Sequence, residues 1–254
     1  MFVRRILLFI KVLFYLLYDF RWWQTCRALN VVDQIKLVGI NSLFIVMITS
    51  FFISLVFTLQ VVKEFMYLNA IDLIGSIVSI AFIRELSPVL TSIIFVGKVC
   101  SFFTSELATM LVTEQIDALF ILGINPINYL IFPRLISVLV TLPLLNLFSI
   151  LTSLITSSFI CFILYSIDPL FFIRSLFYSS LIIDLSKSLI KVLVFAFFIS
   201  LISCIWGLTA QGGSKGVGLS TTSSVVTCLI SIFILNFILS YCLFNNFVSS
   251  FQMS

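Results

Sequence analysis

Histidine is absent from this 254-residue sequence, and charged residues make up only 9% of it. Without histidine there are no histidine-ligated metal sites, no serine–histidine or cysteine–histidine hydrolases and no histidine proton relays. A soluble domain has about 25% charged residues, so the low content also excludes a soluble enzyme, a disordered chain and a nucleic-acid-binding protein. The P-loop pattern G-x-x-x-x-G-K-[ST] does not occur, which excludes ATP binding by that motif.

The cysteines form no recognisable framework, because no C-x-x-C pair occurs and most of them lie inside apolar runs. We therefore predict buried thiols that pack as small hydrophobic groups. We predict no catalytic residue, no metal site and no cofactor. The cysteines are Cys26, Cys100, Cys161, Cys204, Cys228 and Cys242.

Hydrophobic residues make up 61% of the chain, and the mean hydropathy is +1.28. Apolar runs of about 20 residues or more recur, which is typical of membrane-spanning helices. A transmembrane barrel would instead show ten-residue segments of alternating polarity, and the sequence has none. We predict an all-α polytopic membrane protein of a single domain with about five spans. Their approximate ranges are 37–62, 80–112, 129–165, 188–208 and 225–244.

Residues 1–23 are apolar but carry Arg4, Arg5 and Lys11. Charges at the centre of a span are costly, so an interfacial helix fits this segment better than a crossing. Trp22 and Trp23 follow it as aromatic anchors. An uncleaved signal anchor is the alternative interpretation.

The most polar stretch of the central chain, residues 113–126, predicts a short surface helix. Thr113 is its expected N-cap, Glu114 lies in the first turn, and Gly123 is the expected C-terminal cap. The distribution of Lys and Arg favours an N-terminus inside and a C-terminus outside, which puts this helix on the cytoplasmic side. The glycine-rich segment 211–218 falls on the same side, and we interpret it as a flexible connector rather than a phosphate-binding loop.

Four charged residues interrupt the second apolar region: Arg84, Glu85, Lys98 and Glu106. Each costs about 2.5–3.5 kcal/mol at a helix centre, so such residues normally face a bundle interior or a cavity. At 100° per residue, Arg84, Lys98 and Glu106 lie on one polar strip together with Thr91. A substrate path and a structural strip that holds helices together are both open interpretations. Adjacent residues point about 100° apart, so we expect Arg84 and Glu85 to meet different partners.

A second charged group stands at the start of the fourth span, where Asp184, Lys187 and Lys191 are helical neighbours. Two interpretations are open here as well. The cluster either snorkels to the membrane interface or contacts a lipid headgroup.

Several motifs resemble those of the MlaE-type ABC permease family. Residues 84–90 read RELSPVL, 105–110 read SELATM and 112–119 read VTEQIDAL, which are similar to the family's RELGPVLT, AELGTM and TEQIDAL. The sequence PR at 133–134, WGL at 206–208 and GVG at 216–218 fit the continuation of the family pattern. The resemblance covers nearly the whole chain from about residue 30.

This resemblance implies a homodimeric permease that moves phospholipid or a related glycerolipid. It implies a plastid inner envelope or a bacterial inner membrane as location, and two partners: a separate ABC ATPase and a substrate-binding protein with a mammalian-cell-entry (MCE) domain. The family's TEQIDAL segment is the cytoplasmic coupling helix. The expected ATPase-coupling residues are therefore Thr113, Glu114, Gln115 and Asp117.

The family's REL residues lie near the lipid cavity, and they correspond here to Arg84 and Glu85. We extend this to the polar strip and hypothesise that it borders the lipid cavity, with polar groups meeting the headgroup and phenylalanines the acyl chains. The predicted lipid-pathway residues are Arg84, Glu85, Thr91, Lys98 and Glu106.

The sequence also departs from the family pattern. Ser87 replaces the usual glycine, and Lys98 replaces an arginine. Ser223 and Asn236 stand where relatives often carry an arginine and an acid, so both of those charges are absent together.

The sequence thus predicts a lipid permease subunit that catalyses no reaction, because it has no nucleotide site of its own. One alternative is a non-transporting scaffold subunit. Another is an intramembrane enzyme using Ser101 and Lys98, but no oxyanion motif accompanies that pair. The phenylalanine- and isoleucine-rich composition without a transit peptide suits a plastid-encoded chain.

Overall fold

The computed structural model describes residues 28–177 and 181–244. These residues form helices and turns with no strand, so the all-α prediction is confirmed. The predicted interfacial helix over 1–23 and Cys26 lie outside the described residues.

Within the described residues, five helical stretches are long enough and apolar enough to cross a membrane. They confirm the predicted number of spans, and each extends into more polar sequence because helical hydrogen bonding continues past the apolar run. The spans are Val31–Tyr67 (span 1), Ile71–Val112 (span 2), Ile127–Tyr165 (span 3), Leu181–Leu208 (span 4) and Gly213–Phe244 (span 5).

Spans 1 and 2 consist of α-helical pieces joined by short π turns, and span 3 begins with a π turn. The α-helices of the described chain are Ala28–Ile35, Asn41–Tyr67, Ile74–Ala81, Ser87–Phe95, Ser101–Val112, Gln115–Ile121, Phe132–Tyr165, Pro169–Phe177, Leu181–Leu208 and Gly213–Phe244. The π turns are Lys36–Ile40, Phe82–Leu86, Val96–Cys100 and Ile127–Ile131, and Ile71–Leu73 forms one 3-10 turn.

The described chain divides into two compact units. The first unit contains the described residues up to Ser42, together with Ile93–Leu142 and Val194–Phe233. One of its buried clusters joins Leu107 and Ile131 to Ile116 of the short helix Gln115–Ile121.

The second unit contains Leu43–Ser92, Pro143–Leu193 and the described residues from Ile234 onwards. Its apolar core includes Val78 and Phe82 of span 2, Cys161 of span 3 and Phe172 of the helix Pro169–Phe177. Four of the predicted buried cysteines are buried, namely Cys100, Cys161, Cys204 and Cys228, whereas Cys242 is exposed.

Close packing inside the first unit explains why position 207, in the WGL motif, is occupied by glycine. A Cβ added to Gly207 would lie 2.6 Å from Cβ of Leu107 and 3.1 Å from the carbonyl oxygen of Thr104. Any larger residue would therefore force spans 2 and 4 apart. By contrast, nothing lies within 4 Å of a Cβ added to Gly97.

Two predictions about connections are corrected. The glycine-rich segment is not a flexible connector, because helix Gly213–Phe244 begins inside it and leaves only Thr209–Gly212 between spans 4 and 5. Thr113 does not cap the surface helix, because its hydroxyl donates backwards to the carbonyl of Thr109 at 2.9 Å. The residue before that helix is Glu114, which has a left-handed φ of 58°.

The predicted C-terminal cap of the surface helix is confirmed. Gly123 has a φ of 71°. Its N–H donates to the carbonyl of Phe120, and the N–H of Ile124 donates to that of Leu119, each at 3.0 Å. This pair of hydrogen bonds is the Schellman arrangement, in which glycine adopts the left-handed conformation at little cost.

Candidate functional site

The carboxylate of Glu85 is the centre of a polar cluster in the second unit. Lys191 Nζ donates to it at 2.9 Å, Asn236 Nδ2 at 3.1 Å and the Ser240 hydroxyl at 2.7 Å. The Glu85 side chain is 44% exposed, whereas that of Lys191 is fully buried. The cluster thus offers a half-exposed carboxylate held by donors from spans 4 and 5.

A proline in span 2 explains why Lys191 reaches this point. In a regular helix the carbonyl of Arg84 would accept a hydrogen bond from the residue four positions later, but that residue is Pro88, which has no N–H. Lys191 Nζ donates to the Arg84 carbonyl instead, at 3.0 Å. The π turn Phe82–Leu86 immediately precedes the proline-containing helix.

All three ammonium hydrogens of Lys191 are used. Besides the Arg84 carbonyl and the Glu85 carboxylate, Lys191 donates to the Ser240 oxygen at 2.8 Å. Ser240 in turn donates its own hydrogen to Glu85. A buried charge in an apolar medium needs such complete satisfaction, so the cluster is a fixed element of the unit.

The guanidinium of Arg84 pairs with a different acid. It lies 2.9 Å from the carboxylate of Asp184, whose side chain is 3% exposed. The expectation that Arg84 and Glu85 meet different partners is therefore confirmed. Asp184 and Lys191 are buried in ion pairs with span 2, so the snorkelling interpretation is wrong for these two residues.

Around this cluster, buried hydroxyl and amide groups extend the polar interior of the second unit. The Ser87 oxygen lies 2.9 Å from both Asn146 Oδ1 and the Ser149 oxygen. Asn146 Nδ2 donates to Ser188 at 3.3 Å. A glycine at position 87 would lack this link between spans 2 and 3. Thr91 is buried, and its hydroxyl donates to its own helix at the Ser87 carbonyl, 2.8 Å away.

The remaining charged residues of span 2 lie in the first unit. The half-buried Lys98 donates its ammonium to the main-chain carbonyl of Asn41. Glu106 forms a 2.8 Å ion pair with Arg134, the arginine of the PR motif. The Arg134 guanidinium is 3% exposed and lies 5.5 Å from the centre of the Phe103 ring.

The predicted strip assumed an uninterrupted helix, and the structure differs on this point. Two π turns, Phe82–Leu86 and Val96–Cys100, lie between residues 82 and 100. A π turn closes over one residue more than an α turn, so each shifts the helical phase by about 100°. The regular spacing of Arg84, Thr91 and Lys98 therefore does not place them on one face.

The predicted coupling residues lie at the surface of the first unit. Thr113, Glu114, Gln115 and Asp117 are all exposed, whereas Ile116 is buried and anchors the helix to the unit. The same segment ends in exposed apolar side chains. Phe120 is 62% exposed, Ile121 87% and Leu122 71%.

Sequence reasoning did not identify several members of these clusters. It did not predict that Arg134 pairs with Glu106 or that Ser240 binds Glu85, and it gave Phe244 no role. The sequence contained one indication of these partners. The charged residues of span 2 have no opposite charge at helical spacing on the same face, so they need partners on other helices. Within the described residues, no group of three or more acids and cysteines is placed to hold a metal ion.

Comparisons with known proteins agree with the motifs. The family described as Permease MlaE matches residues 31–242. A probable ABC transporter permease protein, ycf63, of Pyropia yezoensis is 51% identical over 221 residues, which cover 87% of this chain and 84% of that protein.

Two further relatives come from other organisms. A probable ABC transporter permease protein of Synechocystis, slr1045, is 44% identical over 215 residues, which cover 85% of this chain and 82% of that protein. The chloroplastic protein TRIGALACTOSYLDIACYLGLYCEROL 1 of Arabidopsis thaliana is 43% identical over 211 residues, which cover 83% of this chain and 60% of that protein. Because the family match extends over most of the chain, this protein belongs to the MlaE permease family and is a membrane transport component.

Proposed function

We propose that this chain is the membrane-spanning permease subunit of an ABC-type transporter that moves phospholipid or a related glycerolipid. The observation that carries the proposal is the cluster around Glu85. It combines a half-exposed carboxylate and the buried Lys191 ammonium with a unit that also has an apolar core. An amphiphile needs both environments, because its headgroup binds polar groups and its acyl chains pack against apolar ones.

We propose Arg84, Glu85 and Thr91 as lipid-pathway residues of the second unit, and Lys98 and Glu106 as those of the first. Glu85 is the strongest of them, since its side chain is 44% exposed while its partner Lys191 is buried. Thr91 is the weakest, because it is buried and its hydroxyl is satisfied by its own helix.

The energy source in this proposal is a separate ABC ATPase. The exposed residues Thr113, Glu114, Gln115 and Asp117 supply its contact surface. The adjoining apolar side chains at 120–122 add hydrophobic area, which is typical of the core of a protein interface. Homodimer formation and binding of an MCE-domain protein, which the family resemblance implies, belong to the same proposal.

The membrane is a plastid envelope or a bacterial inner membrane. The relatives include a protein named as chloroplastic in Arabidopsis thaliana and a permease of Synechocystis, which agrees with both locations.

Reconstitution tests the function. The chain, its ATPase and its MCE-domain partner are placed together in liposomes, and transfer of a labelled phospholipid is followed with and without ATP. We expect ATP-dependent transfer that is slower in Glu85→Gln, a change that keeps the size of the side chain but removes its charge. Glu64→Gln is the matched control, because Glu64 is an exposed carboxylate near the end of span 1.

Three results would contradict the proposal. Assembly with the ATPase without any lipid transfer would identify a non-transporting scaffold instead. Lipid transfer that does not depend on ATP would exclude an ABC mechanism. Equal rates in Glu85→Gln and the unchanged protein would remove Glu85 from the pathway.

A further inference from the structure

One aromatic ring lies against three cations in the second unit. The centre of the Phe244 ring is 5.0 Å from the guanidinium carbon of Arg84, 5.2 Å from Lys187 Nζ and 5.9 Å from Lys191 Nζ. Phe244 is the last described residue of span 5. The three cations come from spans 2 and 4, so the ring is the point where they converge.

The charges in this cluster do not balance. Arg84 pairs with Asp184 and Lys191 with Glu85, but Lys187 has no carboxylate partner within residues 28–177 and 181–244. Among the described residues, three positive side chains lie near two carboxylates. Lys187, which is half-buried, is the one without an ion pair there.

Like charges repel, and the repulsion is strong where water is scarce. The face of an aromatic ring carries partial negative charge and attracts cations within about 6 Å. Phe244 therefore allows the three cations to stay close together without a further acid. The attraction of a ring is weak compared with that of a phosphate, which accepts charge-assisted hydrogen bonds from arginine and lysine.

We propose that Phe244 is a positioning residue for the lipid headgroup. The ring holds Arg84, Lys187 and Lys191 around one point, and an anionic phosphate group of the transported lipid binds there to Lys187, while Lys191 keeps its bonds to Glu85 and to the Arg84 carbonyl. The neutral side chains of Asn236 and Ser240 bind Glu85 and add no negative charge that would repel the phosphate. This proposal rests on the lipid transport function proposed above.

Substitutions at position 244 test the proposal in the full chain, purified together with its ATPase. The readout is retention of dioleoyl phosphatidic acid and of dioleoyl monogalactosyldiacylglycerol, offered together and quantified by mass spectrometry. In Phe244→Leu we expect retention of the phosphatidic acid, relative to the neutral lipid, to fall by about three- to tenfold. Phe244→Tyr should restore it. Phe237→Leu is the matched control, because Phe237 is a 75% exposed ring two helical turns earlier in span 5.

A second set of variants separates electrostatics from packing. Mono-, di- and trifluorinated phenylalanine at position 244 keep the shape of the ring but progressively weaken its negative face. We expect retention of phosphatidic acid to decrease stepwise along this series, whereas retention of the neutral lipid stays constant. These variants keep the test valid even if Phe244→Leu disturbs folding.

Several outcomes would overturn the proposal. Retention that is insensitive to fluorination, or equal losses of both lipids, would reduce Phe244 to a packing residue. Displacement of phosphatidic acid by millimolar inorganic phosphate would show a site for the free anion rather than for a lipid headgroup. Any of these results can be obtained while the unchanged protein still shows ATP-dependent lipid transfer. In that case only the proposed role of Phe244 is wrong, and the proposed transport function stands.

Discussion

Lys191 donates hydrogen bonds both to the carboxylate of Glu85 and to the main-chain carbonyl of Arg84, at 2.9 and 3.0 Å. One buried ammonium of span 4 thereby binds a side chain and the backbone of span 2. The backbone contact occurs where Pro88 removes a helical donor. The segment Arg84-Glu85-Leu86 is thus held in place by Lys191, which lies more than 100 residues away along the chain.

This arrangement predicts unequal effects when the two charges are removed. Glu85→Ala leaves the buried Lys191 ammonium without its acid, so we expect the free energy of unfolding to fall by about 3–5 kcal/mol. Lys191→Met leaves a half-exposed carboxylate that still has two neutral donors, and we expect a loss of only about 1 kcal/mol. Unfolding by SDS in mixed micelles, followed by circular dichroism, measures both.

The double variant completes this test. Glu85→Ala combined with Lys191→Met should be more stable than Glu85→Ala alone, because no unpaired charge remains buried. Equal losses in the two single variants, with simple additivity in the double variant, would show that the pair contributes no coupling energy.

A second prediction concerns the glycine of the WGL motif. Gly207→Ala places a methyl group 2.6 Å from Cβ of Leu107, so we expect a loss of about 1–3 kcal/mol from overpacking. Gly97→Ala is the control, because its added methyl group meets nothing within 4 Å. Comparable losses in the two variants would contradict the close contact of spans 2 and 4.

The sequence was sufficient to predict what depends on composition and local chemistry. The five predicted apolar stretches correspond to five spans in the described residues. The positive φ of Gly123 agrees with its predicted role as the C-terminal cap of the surface helix. The divergent partners of Arg84 and Glu85 also followed from helix geometry alone. Each of these features is determined by residues within one or two helical turns.

The partners of the charged residues could not be predicted, because they come from segments that are distant in the sequence. Helical periodicity reports the faces of one helix, but it does not reveal that Glu106 pairs with Arg134 or that Ser240 binds Glu85, 155 residues away. The π turns were also not predictable, because their wider hydrogen bonding has no distinct residue signature. Since they shift the helical phase, spacing along the sequence could not show that the hydroxyl of the buried Thr91 binds its own helix.

A third prediction uses two buried thiols of the first unit. Cys100 Sγ lies 3.4 Å from Cys228 Sγ, on spans 2 and 5. A disulfide requires a separation of about 2.0 Å, so a small movement allows oxidation. Copper phenanthroline should remove two protons and two electrons from this pair and form one intramolecular bond. Mass spectrometry of peptides identifies it, and Cys100→Ser should abolish it. A Cys161–Cys228 link appearing instead would contradict the packing of spans 2 and 5.

The last prediction addresses the surface helix Gln115–Ile121 and its proposed ATPase contact. Glu114 and Asp117 are exposed, and Ile116 between them anchors the helix to the unit. Reversing both charges, in Glu114→Lys with Asp117→Lys, should weaken ATPase binding by about 10- to 100-fold if each acid meets a cation of the partner. Affinity measured at low and high salt checks this, and the difference between the variant and the unchanged chain should shrink as salt screens the charges.

A matched control separates this local effect from a change in net charge. Glu64→Lys with Asp72→Lys alters the total charge by the same amount, and both residues are exposed beside the connection between spans 1 and 2. That segment is not part of the proposed contact surface, so the control should bind the ATPase normally. If both double variants weaken binding equally, the effect is general electrostatic repulsion. If neither does, the contact depends on other groups, and the assignment of Glu114 and Asp117 is wrong.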